Sequence, residues 1–204
     1  LGNLAGAGSA DTITLNAATT INANDGVVTL ANVTDGAGDF GLSLQQAGAT
    51  GQASIEGSLT VDSLITFNGA YDVELLGGVT VASDTTFANT TRVQIGDAAG
   101  DTSNFAGGLD TTAVTSTEIA GVVSSGDTQI DLGATTLLDA ATLDSGAGAL
   151  NVVSLTDGAG TLALTLQDTG ATGTVTITGA ATIGSLITSG AGYDLFLNAG
   201  AGGQ

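Results

Sequence analysis

Catalysis by an activated nucleophile needs a base beside a Ser, Thr or Cys, and this chain has no His, Cys or Lys to act as one. Paired carboxylates are the other route, because two Asp or Glu held about 5 to 9.5 Å apart can cleave a glycosidic bond. Here the acids are scattered singly and no Asp-Asp dipeptide occurs. A lyase-type base would have to be Arg92, the one basic residue in 204. The sequence therefore predicts no catalytic residue and no enzyme, a polysaccharide-degrading one being the weakest of the alternatives.

Twenty Asp and Glu against that single Arg give a formal net charge of −19. Phosphate backbones and anionic membrane surfaces are bound by clustered Lys and Arg, so the chain is expected to bind no nucleic acid and to insert in no membrane. No apolar run approaches the roughly 20 residues that span a bilayer. Dispersed Asp at this density keeps an apolar β surface soluble.

The elements that must position these residues are short strands. Alternation of apolar and polar residues runs through LTVDSLITF (59–67), VTVAS (79–83), TRVQI (91–95) and TVTITG (174–179), the two-residue period of a half-buried strand. Asp25-Gly26, Asp35-Gly36, Asn68-Gly69 and Asp157-Gly158 punctuate the runs as turns. Helical spacing is sustained nowhere. The chain carries 33 Gly, 5 Phe, 2 Tyr and no Pro, Met or Trp, so its core must be filled by Ala, Val, Ile and Leu.

Repetition is the strongest signal. Residues 34–78 align without a gap to residues 156–200 at an offset of 122, with 23 of 45 positions identical. Many short strands, a thin aliphatic core and a long repeat favour an all-β fold, a β-solenoid or parallel β-helix, over tandem sandwiches with bulky aromatic cores. Phe67, Phe87 and Phe105 recur at intervals of 20 and 18, which predicts coils of roughly 20 residues and six coils per 122-residue unit. Residues 1–204 are then one continuous solenoid segment of about ten coils, a rod on the order of 50 Å long. Both ends lack a charged or helical cap, so end-to-end self-association is expected.

The runs TAVTSTEIAGVVSSGDTQIDLGATTLLDAATLDSGAG (112–148), GSLTVDSLITF (57–67) and GAATIGSLITSGAG (179–192) resemble the repeats of filamentous-haemagglutinin-like and autotransporter-type bacterial adhesins. That resemblance implies a parallel β-helix stalk, a secreted or cell-surface location, and partners among cell-surface or matrix components in adhesion or biofilm. It implies no catalytic residue.

SGAGYDLFL (189–197) is similar to the calcium-binding nonapeptide GGxGxDxUx of repeat-in-toxin proteins, with Ser189 in place of the first Gly. This implies Asp194 as a metal ligand, and Asp72 in the corresponding FNGAYDVEL (67–75) as a second. Calcium is the cofactor to test; otherwise none is expected, with both Asp, like Asp97, Asp101 and Asp127, read as solvated turn residues. Thr12-Ile13-Thr14 and Thr174-Val175-Thr176-Ile177-Thr178 have the Thr-x-Thr form used by flat ice-binding faces. They are not regularly spaced along the sequence, so ordinary β propensity accounts for them.

Overall fold

The computed structural model describes residues 11–22, 24–45, 51–158, 160–168, 173–190 and 192–198. Among them are 22 strands and no helix. Adjacent strands are parallel and come from successive coils, so the all-β solenoid expected from the alternation and the repeat is the observed fold.

Three stacks of strands form three faces. One coil runs through Leu59–Val61 on face A, Ser63–Thr66 on face B and Asp72–Leu75 on face C, and the chain returns to face A at Val79–Val81. On face A, Ile13, Val33, Leu59, Val79, Ser103, Val123, Leu143, Leu166 and Thr188 occupy successive rungs. These make about eight turns of roughly 22 residues, and some 38 Å of rod at the usual strand spacing. Ile130–Asp144, the longest strand, bends through all three faces: it pairs with Ala149–Thr156 on faces B and C and with Ala163–Asp168 on face A.

Coil length is not constant. Thr12 pairs with Asn32, 20 residues on, whereas Val33 pairs with Leu59, 26 residues on. Corners absorb the difference and the ladders stay in register. The predicted 20-residue coil is therefore slightly short, and the phenylalanine spacing that suggested it has another origin. Phe67 points outward and is 39% exposed, while Phe87 and Phe105 are fully buried and meet edge to face with centroids 6.4 Å apart.

Small aliphatics fill the bore as expected. Leu30, Ile55, Leu75, Ile95, Ile119 and Leu137 form an unbroken ladder on face C, every member buried. Stacking of like side chains at this spacing gives each residue two close neighbours of its own shape, so dispersion contacts repeat with every coil. Thr85, Thr111, Thr117 and Thr135 also point inward, and the Thr117 hydroxyl donates to Thr111 Oγ1 at 2.8 Å.

Corners are held by carboxylates. Asp35 Oδ2 accepts the N–H of Phe40 at 3.2 Å and of Asp62, one coil further on, at 3.0 Å. Asp157 does the same for Leu162 at 2.6 Å and Gly184 at 3.1 Å, and also accepts from Gly160. Burial pulls the Asp157 carboxyl up, but the N–H groups of Leu162, Gly160, Gly184 and Thr161 outweigh it and hold it below the usual carboxylate range. The following Gly36 and Gly158 have φ of 64° and 69°, a conformation in which a side chain is strained, which accounts for both Asp-Gly turns.

Candidate functional site

The ion pairs among the described residues centre on Arg92, on the outer surface of face C. In-register pairing stacks Asp72, Arg92 and Ser116 in one ladder and Glu74, Gln94 and Glu118 in the next. Arg92 Nε donates to Asp72 Oδ2 at 3.3 Å, and Nη1 donates to Glu118 Oε2 at 2.9 Å and Gln94 Oε1 at 3.0 Å. Nη2 is bonded to Glu74 Oε1. One guanidinium thus ties carboxylates of the coil before it, Asp72 and Glu74, to Glu118 of the coil after it. Burial works against its charge, but hydrogen bonds and the negative charges of Glu118 and Glu74 outweigh it and hold the group firmly protonated.

Local structure aims this side chain. Asn89, fully buried at the corner before Arg92, donates from Nδ2 to the carbonyl oxygens of Tyr71 at 3.1 Å and Arg92 at 2.9 Å. That ties the start of the Arg92 strand to the coil beneath it. Replacing Arg92 with Gln leaves Asp72, Glu74 and Glu118 on one surface without a cation. Because the four side chains are partly solvated, the expected loss is modest, about 1 to 2 kcal/mol. Urea melts should show R92Q recovering part of that loss as salt is raised; an unchanged midpoint in dilute buffer would reduce the cluster to decoration.

Asp72, one of the two residues implied as metal ligands, is thus a partner of Arg92. Asp194 is exposed at the start of the last described strand, and its N–H donates to the Gly173 carbonyl at 3.1 Å. The structure does not bring the two together. They are equivalent residues of the two repeats, on faces C and B. Ala191 of the nonapeptide lies outside the described residues. Among the described residues no three His, Cys, Asp or Glu are grouped as a metal site. The tyrosines beside these two acids turn inward, where Tyr71 and Tyr193 donate their hydroxyls to the carbonyls of Leu44 and Leu166 at 2.9 and 3.1 Å.

The other acidic turns serve the backbone. Asp101 Oδ2 accepts the N–H groups of Asp97 and Ala98, each at 2.9 Å, and Asp127 Oδ1 accepts that of Ala147 at 3.0 Å. Burial and the neighbouring Asp101 push the Asp97 carboxyl above its ordinary value.

Regularity also appears where the sequence shows none. Thr14, Thr34, Thr60 and Thr80 stand on four consecutive rungs of face A, followed by Asn104 and Ser124. Their irregular spacing in the sequence becomes even in space because the corner loops take up the excess. Coil arithmetic was the missing signal for this ladder and for the Arg92 cluster alike.

By its fold the chain is a parallel β-solenoid of about eight turns. Comparison with known protein families, with curated proteins and with solved structures finds no match.

Proposed function

We propose that this chain is a non-enzymatic structural rod, a stalk- or filament-forming segment of a secreted or cell-surface repeat protein of the adhesin or biofilm-matrix kind. The observation that carries the reading is the stacking of coils: main-chain ladders run along the axis through the described coils on faces A and C, and on face B on either side of one interruption between Ser63–Thr66 and Thr85–Thr86, so stiffness accumulates with coil number. A net charge of −19 keeps such a body soluble and favours cations or uncharged matrix over nucleic acid.

End-to-end association belongs to the same proposal. At one end of the described coils, Ile13, Leu15, Ile21 and Leu30 line an apolar cavity of about 250 Å³. At the other, the inward-facing Leu197 is 57% exposed where its counterpart one coil earlier, Ile177, is buried. Stacking one end on the other would continue the ladders already present between coils. Electron microscopy across a salt series tests this: thin rods should lengthen in steps as salt screens the charge. Compact particles that stay monomeric at high protein and salt concentration would sink the proposal. A melting temperature that collapses in chelator, with or without association, would promote the calcium-stabilised alternative centred on Asp194 and Asp72.

A further inference from the structure

The two copies of the internal repeat have the same local structure but stand on different faces. Strands Gly41–Gln45, Gln52–Ile55, Ser63–Thr66 and Asp72–Leu75 correspond, at an offset of 122, to Ala163–Asp168, Thr174–Ile177, Ser185–Gly190 and Asp194–Leu197. The corner bonds correspond too: Asp35 to Phe40 and Asp62, Asp157 to Leu162 and Gly184. So do the tyrosine bonds, Tyr71 to Leu44 and Tyr193 to Leu166. A segment that keeps its own bonds, including those to the next coil, is one structural unit used twice.

The registers place these units out of phase. From Thr60, five whole coils along face A pass Thr80, Asn104, Ser124 and Asp144 and arrive at Gln167. Thr182, the repeat equivalent of Thr60, lies two faces beyond, on face C beside Thr156. Likewise Thr34 is stacked on Thr14 of face A, and its equivalent Thr156 on Thr136 of face C. The unit thus spans five and two-thirds coils, where six had been expected.

We infer that the 122-residue repeat is a screw unit: each copy is set one face round from the copy before it, so an array presents the same outer surface in three directions in turn. One unit advances about 27 Å along the axis, and the same surface returns to a given face every third unit, about 80 Å on. A partner that recognises the repeat surface is therefore met from all sides of the rod, as by neighbouring rods in a matrix, and a flat surface along one side meets it only at every third repeat. This rests on reading the chain as part of a longer array, but the phase itself is tested separately.

The chain has no cysteine, so engineered pairs report cleanly. Rungs about 4.8 Å apart fall within disulfide reach. Double-cysteine variants are made along face A (60/80, 80/104, 104/124, 124/144) and along face C (74/94, 94/118, 118/136, 136/156), and oxidised in the folded state. All eight pairs should close, which places Thr156 in the column of Glu74 and not of Thr60. A break in either ladder between residues 60 and 156, with its neighbours closing, overturns the phase. Because three of the face C positions belong to the Arg92 cluster, a second measurement leaves them intact: cryo-electron microscopy of the full chain lengthened by in-frame copies of residues 34–155. Successive units should superimpose by a third of a turn with a shift of about 27 Å; superposition by translation alone would discard the screw. Neither experiment depends on whether rods associate.

Discussion

Replacing Ile95 with Ala should cost about 3 to 4 kcal/mol and lower the melting temperature by roughly 6 to 15 °C. Ile95 is fully buried on face C between Leu75 in the coil before and Ile119 in the coil after. Truncation removes three carbons from a ladder whose neighbours are fixed by their own main-chain pairs and cannot close in, so the lost contacts add to the lost burial. A solenoid also transmits stability only through nearest neighbours. A weak interior coil therefore separates two rod halves, and denaturant melts should broaden as well as shift. If I95A melted as the parent does, the aliphatic ladder would not be what holds successive coils together.

Gly148 gives the second large effect. A Cβ there would stand 2.1 Å from the carbonyl oxygen of Thr128 and 2.3 Å from its carbonyl carbon, which are main-chain atoms of the preceding coil. The corner is already pinned, with the Gly148 N–H donating to Ser145 O at 3.0 Å and the Ser145 hydroxyl donating to Gly148 O at 2.9 Å. No side-chain rotation relieves the clash; two coils must part. We expect Gly148→Ala to destabilise by about 3 kcal/mol or more. Gly100 is the control, because a Cβ there meets nothing within 4 Å, and Gly100→Ala should be neutral or stabilise by up to about 1 kcal/mol through the unfolded chain. Equal melting temperatures for the two variants would show that the corners are looser than this close approach implies.

The fold was largely legible in the residues. Alternation in LTVDSLITF gives the buried Leu59, Val61 and Leu64 of two successive faces, and the Asp-Gly pairs at 35 and 157 mark corners whose carboxylates cap the following turn. What could not be read was phase. Steps of 20 and 26 residues between stacked strands look alike in a sequence, since corner residues leave no periodic trace. The same ambiguity hid the Arg92 cluster: Glu74 and Glu118 lie 18 residues before and 26 after Arg92, separations that signify contact only once the coil boundaries are known. It also made Asp72 and Asp194 look like equivalent ligands. Their local segments are equivalent, but the strands stacked beside them are not, and only Asp72 has a guanidinium on its neighbouring rung.

The inward tyrosines give the rod two built-in optical reporters. The chain has no Trp, so Tyr71 and Tyr193 carry its near-ultraviolet signal, one in each repeat. Tyr71 sits mid-rod with its ring buried and its hydroxyl bonded on both sides, accepting from Phe67 N–H and donating to Leu44 O; burial raises its phenol pKa against the lowering effect of the bonds from Phe67 and Thr66. Tyr193 is only part-buried, in the last described coil. A Tyr71→Phe chain reports on the last described coil alone, and a Tyr193→Phe chain on the interior. The two spectra, followed through a melt, separate local opening of that coil from collapse of the whole column without any added label.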